Sequence, residues 1–217
     1  MKLLKQFFLI ILTVTLLGNI TVSAQKTSEE LAAEELVSLS VLKGNEDGDL
    51  MLNQTVTRAE MAVIICRLLA LEDTAIKNVP AVSLFSDVSE NHWAAGYIDI
   101  VKAYKIVNGY PDGTFRPEEE VTYAEVIKML VATCGYLPKA EQMGGYPMGM
   151  IMVASQNGIA KGVSFAQDEQ ATRGEVALLV QNTLDVPFLV QTGFGAYEEY
   201  LVNPDMTLRI QHFKMQP

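Results

Sequence analysis

A loop that opens on glycine, turns near Asp-Gly and closes on Thr-x-x-Glu recurs along this chain, and the recurrence narrows the available folds more than any other feature. The fullest copy is GYPDGTFRPEEEVTYAE, Gly109 to Glu125. Upstream, GNEDGDLMLNQTVTRAE runs from Gly44 to Glu60 with the same glycine-to-threonine spacing. A third copy, GVSFAQDEQATRGE from Gly162 to Glu175, has a shorter loop. Repetition on this scale points to stacked supersecondary units, none of which can bury its apolar face alone. The chain therefore reads as three copies of one unit.

Thr57 with Glu60, Thr122 with Glu125 and Thr172 with Glu175 have the spacing of capping boxes at helix starts. Each is followed by an apolar run: MAVIICRLLAL, VIKMLVATC and VALLVQNTL. Helices apolar on so much of their surface need more than one neighbour, so these three are expected to pack together at the centre. A second helix precedes each loop. The first, TSEELAAEELVSLSVLKG, carries its own box at Thr27 and Glu30 and is expected to end at Gly44. The second lies in FSDVSENHWAAGYIDIVKAYKIVNG, with Asp87 or Ser89 as cap, and the third in YPMGMIMVASQNGIAKG. Gly135 is expected to cap the second apolar helix. The segments around Pro80 and YLPKAEQMGG read as connectors without periodicity. Beyond Pro187 the helical period is lost and TLRIQHF looks like a strand. That tail either packs onto the helices or opens a further domain. The expected divisions are 1–24, 28–71, 85–135, 146–187 and 188–217.

Residues 1–24 read as a secretory signal: Lys2 and Lys5 precede an apolar run from Phe7 to Leu17, and Val22-Ser23-Ala24 resembles a cleavage site. The mature chain would begin at Gln25 and contains no second apolar stretch long enough to span a bilayer. A composition of 49% hydrophobic and 19% charged residues is globular, and a net charge of −10 argues against non-specific attraction to nucleic acid or anionic membranes. Cys66 and Cys134 are too few for a disulfide scaffold and sit in apolar helical runs, which favours buried thiols. Asn45, Asp47 and Gly48 imitate part of a calcium loop, but that register places Lys43 and Gln54 where acidic ligands are required. With His92 and His212 the only histidines and no nucleophile or metal motif in sight, the expectation is no cofactor, no metal and no catalysis.

The stretch FSDVSENHWAAGYIDIVKAYKIVNGYPDGTFRPEEEVTYAE resembles the S-layer homology repeat, with its FxDV opening, HWA helix start, GYPDGTFxP loop and TRAE ending. Phe85, Asp87, His92, Trp93, Gly109, Tyr110, Pro111, Asp112, Gly113, Thr114, Phe115 and Pro117 fall on that pattern, and TRAE at 57–60 and TRGE at 172–175 extend it. The resemblance implies an all-α domain of three helix-loop-helix repeats in pseudo-threefold arrangement, here with a short C-terminal tail. It also implies an exported cell-wall or S-layer protein, monomeric, held non-covalently to secondary cell-wall polysaccharide, often through a pyruvylated sugar. A helical protein-interaction scaffold without sugar binding, or the anchor portion of a larger surface enzyme, are the alternatives. The first copy lacks the HW pair, the third lacks PDG and has Tyr146 where Trp93 would align, and Tyr123 replaces the arginine of TRAE.

The threonine and glutamate of each box are explained as caps, whereas Arg58 and Arg173 place positive charge in a first helical turn, where the macrodipole disfavours it. Beside free backbone N–H groups, such an arginine would form an anion site, and its planar fork suits a pyruvyl carboxylate. Trp93 would either stack on a sugar or pack in the core, and Tyr110 and Asp112 divide similarly between ligand contact and turn structure. Tyr123 should govern a weak or inactive groove.

Overall fold

The computed structural model describes residues 25–164, 166–194 and 198–215, so the expected signal at 1–24 lies outside the described residues. In chain order the helices are α1 (Ser28–Ser38), α2 (Arg58–Leu68), α3 (Glu72–Lys77), α4 (Ala95–Ala103), α5 (Tyr123–Thr133), α6 (Leu137–Gln142), α7 (Met148–Gln156), α8 (Arg173–Thr183) and α9 (Leu208–Met215). A two-stranded antiparallel hairpin, β1 (Phe188–Gln191) and β2 (Tyr200–Asn203), separates α8 from α9, with Phe188 opposite Asn203 and Gln191 opposite Tyr200. The protein is mainly helical, as its periodicity requires.

All four Thr-x-x-Glu boxes form reciprocal capping pairs. Glu60 N donates to Thr57 Oγ1 at 3.2 Å and Thr57 N donates to Glu60 Oε2 at 2.8 Å, with the same exchange at Thr27, Thr122 and Thr172. Each such cap contributes about 1 kcal/mol. The apolar runs behind three of these caps are buried nearly all round, and α5 lies against both α2 and α8.

The outer helices pack across copies. Helix α4 lies on α2, α7 on α5, and α1 on α8, so each outer helix covers the apolar helix of the preceding copy and the first closes onto the last. The loops repeat this cycle in the backbone. Val56 N donates to Ala171 O at 3.2 Å, Ala171 N to Val121 O at 3.0 Å, and Val121 N to Val56 O at 2.8 Å. Three hydrogen bonds thereby form a closed ring.

The same loops satisfy the first-turn N–H groups of the buried helices. Arg58 N and Ala59 N donate to Glu119 O and Pro117 O, Tyr123 N and Ala124 N to Glu169 O and Gln167 O, and Arg173 N and Gly174 N to Gln54 O and Leu52 O. These groups are therefore not free to bind an anion, which corrects the helix-terminus part of the sequence reading.

Other local expectations also change. Helix α1 ends at a Leu39 cap rather than at Gly44, because Ser40 adopts φ +59° and Val41 N donates back to Leu36 O, a Schellman closure. Gly135 does follow the Cys134 cap of α5, at φ +81°. Neither Asp87 nor Ser89 caps α4. Asp87 instead accepts from Phe115 N at 2.8 Å and Arg116 N at 2.6 Å, tying the FSDV turn to the next loop. Both connectors contain a short helix, α3 and α6. TLRIQHF opens a helix rather than forming a strand: Thr207 Oγ1 accepts from Ile210 N, Leu208 is buried, and Arg209 reaches Asp185 and Glu35. The tail packs onto the array, with Leu189 N donating to Cys134 O and Arg209 N to Leu184 O. Cys66 and Cys134 are free and buried, and burial pushes both thiols up to about 12, with Glu72 adding to the effect at Cys66.

Candidate functional site

The first residue of each buried apolar helix faces the capping glutamate of the following copy, and the three pairings differ. At the first junction Arg58, 6% exposed, donates from Nη1 to Glu125 Oε1 at 2.8 Å and from Nε to Phe115 O at 2.8 Å. Its guanidinium also lies 4.8 Å from the ring centres of both Tyr110 and Phe115. Tyr110 Oη donates to the same Glu125 oxygen at 2.7 Å. Burial and that hydrogen bond push the phenol up to about 12, so Tyr110 stays a donor at neutral pH. At the second junction Tyr123, 2% exposed, replaces arginine with a hydroxyl that donates to Glu175. Burial foremost, then Glu175, Glu169 and Glu29, hold that phenol protonated. At the third junction Arg173, 9% exposed, has no carboxylate within ion-pair distance among the described residues. Its Nη2 donates to Lys43 O at 2.9 Å, and its buried Nε has no hydrogen-bond partner among the described residues.

Two cavities lie at these junctions. The first, about 270 Å³, is lined by Arg58, the Gly109-Tyr110-Pro111 turn, Glu125, Lys128, Met129 and Tyr146. Lys128 makes no ion pair among the described residues, and its ammonium lies 5.7 Å from the Tyr146 ring centre. Burial, followed by the nearby Arg58, lowers its pKa. The second, about 200 Å³, is lined by Lys43, Gly44, Glu60, Arg67, Trp93 and Arg173, with Val63 and Ile64 as its apolar floor. Trp93 is 59% exposed and stacks on His92, whose Nδ1 accepts from Ala94 N while Nε2 meets Glu118 at 3.0 Å. Corresponding positions of successive copies build both cavities: the glutamate of each box, the residues one turn further on, and the aromatic at the start of an outer helix.

Of the six residues that the sequence singles out, Arg58 and Tyr110 meet at the first cavity, and Arg173 and Trp93 at the second. Asp112 and Tyr123 line neither. Asp112 is a turn residue whose Oδ1 accepts from Thr114 N at 3.0 Å and Thr114 Oγ1 at 2.6 Å, with Arg116 at 3.1 Å from Oδ2. These hydrogen bonds, led by Thr114, hold its carboxyl at about 2. The sequence reading did not single out Lys128, Lys43 or Arg67. Lys128 follows the box glutamate by one helical turn, a position that faces a cavity whenever the glutamate does.

Each of the two cavities sets a buried cation beside an exposed aromatic on a mainly helical scaffold. Residues 84–127 match the S-layer homology domain, and the chain is an S-layer homology domain protein, a class of exported cell-surface and cell-wall-associated proteins. It is 34% identical over 166 residues to the middle cell wall protein of Brevibacillus brevis, covering 76% of this chain and 15% of that protein. It is 32% identical over 186 residues to a surface layer protein of Brevibacillus choshinensis, covering 86% and 16%. A cellulosome-anchoring protein of Acetivibrio thermocellus is 36% identical over 101 residues, covering 46% of this chain and 22% of that protein. The chain thus spans less than a quarter of each of these relatives.

Proposed function

We propose that this cell-surface anchoring protein is held to the wall non-covalently by secondary cell-wall polysaccharide carrying pyruvyl groups, bound in the Arg173–Trp93 and Arg58–Lys128 cavities. The observation that carries this reading is the exposed indole of Trp93 at the rim of a cavity that also contains the buried guanidinium of Arg173. An apolar sugar face suits the ring, and a carboxylate on the same residue suits the cation. Tyr146 and Lys128 repeat the pairing at the first cavity. At the second junction Tyr123 stands in place of the arginine, and Glu175, Glu169 and Glu29 act on it, which disfavours an anion. The reading also treats the three copies as a pseudo-threefold domain acting as a monomer, without catalysis.

The test is retention on isolated wall sacculi before and after chemical removal of pyruvate. The folded protein should bind untreated wall and lose most of that binding once pyruvate is removed. Loss of one charge-assisted contact contributes about 1.5–3 kcal/mol, so Arg173→Ala should weaken its site about ten- to a hundredfold. Equal retention on both walls would refute the role of pyruvate, and no retention on either would refute polymer binding.

A further inference from the structure

The three seams where an outer helix covers a buried one are not built alike. Packing of α4 on α2 and of α7 on α5 joins consecutive copies, whereas α1 on α8 joins the first copy to the last, through contacts such as Gln181 to Glu35 that span 146 residues of chain. A contact so distant in sequence closes a longer loop, at a greater cost in entropy. It is also the polar seam. Counted from the box threonine and from the glycine that opens the loop, the positions of Gln181 and Glu35 hold Cys66 and Ile100 where α4 meets α2, and Val131 and Val153 where α7 meets α5, all four buried. Where α1 meets α8, Gln181 Nε2 donates to Glu35 Oε2 at 2.6 Å, and both residues are only half-buried. The tail covers that weakness. Arg209 in α9 grips both sides of the seam: Nη1 donates to Glu35 Oε1 on α1 at 2.5 Å, while Nε and Nη2 donate to the two oxygens of Asp185, just past α8, at 2.6 and 2.9 Å. Its backbone N donates to Leu184 O, and the preceding Leu208 is fully buried. The other end of the tail is moored on the second copy, where Tyr136 Oη donates to Pro187 O at 2.8 Å and Leu189 O passes so close to Gly135 that a Cβ there would lie 2.3 Å from it. The β1–β2 hairpin joins the two moorings.

We propose that the segment after Pro187 is a latch on the ring: Arg209 clasps the seam between the last and first copies, and that seam parts only after the latch has left. The polar pair of Glu35 and Gln181 makes the ring dependent on the clasp. The other two seams need none, because their corresponding positions are apolar. Helix α1 leads to Lys43 and α8 begins at Arg173, whose Nη2 donates to the Lys43 carbonyl, so the latched seam is also the one on which the second cavity is built. A tail that merely rested on the array would not distinguish α1 from the other outer helices.

Amide hydrogen exchange on the intact chain tests the latch. In the unaltered protein the Arg209 amide should exchange at least as fast as the interior amides of α1, because the latch opens first. Arg209→Gln removes the charged clasp and should speed exchange in α1 about ten- to a hundredfold, with α4 and α7 changed by less than about threefold. A second arm copies the apolar pair of the α7–α5 seam into the α1–α8 seam. In a Glu35→Val/Gln181→Val background, where Arg209 is no longer needed, the same Arg209→Gln change should speed α1 exchange by less than about threefold. An Arg209 amide better protected than α1, equal acceleration of α1, α4 and α7, no acceleration of α1, or an acceleration that is the same in both backgrounds would each overturn the proposal. If the two-valine background does not fold, the order of exchange in the unaltered protein and the contrast between α1 and α7 in Arg209→Gln still decide it.

Discussion

Arg58 and Glu125 form an ion pair 2.8 Å long between two copies of the repeated pattern, with side chains only 8% and 17% exposed. Two charges so far from water are held in place because every strong contact is made: Phe115 O and Glu125 for the guanidinium, Thr122 N and Tyr110 Oη for the carboxylate. Removing one partner leaves the other charge without compensation. Arg58→Ala is therefore expected to lower stability by about 3–5 kcal/mol, read as a reduced urea midpoint with an unchanged m-value. A loss below about 1 kcal/mol would show that water replaces the pair.

Trp93 presents the opposite case. Its ring is mostly exposed, so Trp93→Ala should change unfolding stability by about 0.5 kcal/mol or less while reducing retention on wall sacculi. A large stability loss with unchanged retention would place the indole in a structural role.

Gly96 and Gly149 allow two outer helices to approach the short helices before them. A Cβ on Gly96 would fall 2.0 Å from Ala75 O, and one on Gly149 would fall 2.0 Å from Ala140 O. Alanine gains about 1 kcal/mol in helix propensity, but here it forces backbone apart. Overpacking costs about 1–3 kcal/mol and more where the obstacle cannot rotate away. Each Gly→Ala variant should accordingly melt below the wild type; a higher melting temperature would show that α3 or α6 yields freely.

Acid should loosen the tail. Glu35 accepts from Gln181 Nε2 at 2.6 Å and pairs with Arg209 at 2.5 Å, and these contacts hold its carboxyl below the ordinary value of 4.5 against the opposing effect of burial. A carboxyl depressed in the folded state contributes stability that is fully present above its unfolded pKa and is lost as pH falls through the folded one. The stability advantage of wild type over Glu35→Gln should thus be constant near neutrality and shrink as pH falls below 4.5. A constant difference through that range would show that the carboxylate is not linked to folding.

Much of the helical pattern was legible because its signals are local. Thr57, Thr122 and Thr172 mark helix starts through side chains three residues apart, and the apolar runs behind them announce burial on most faces. What the sequence concealed is long-range. Nothing within a copy indicates that α1 covers α8, or that Glu119 and Pro117 occupy the N–H groups expected to greet an anion at Arg58. The identical letters TR at 57–58 and 172–173 hide an arginine paired with a carboxylate and one without an ion pair among the described residues; the neighbouring loops differ too, with Tyr110 and Phe115 in one and Asn45 and Leu50 in the other. TLRIQHF is short enough to satisfy either period, and the contacts of Arg209 with Asp185 and Glu35 favour the helix.

The packing of α1 on α8 makes this array unlike an open solenoid, which can gain or lose a unit at either end and needs polar end caps to remain soluble. Among the described residues, α1 and α8 cover each other and leave no open flank between them. Deleting α1 would not yield a shorter array; it would strip the apolar flank of α8 and leave the outer face of α4 unchanged. New chain ends cut into a loop such as Glu46–Asp49, with α1 still joined to α8 through a linker, would preserve every helix contact. Covalent order and spatial neighbourhood are thus separable here.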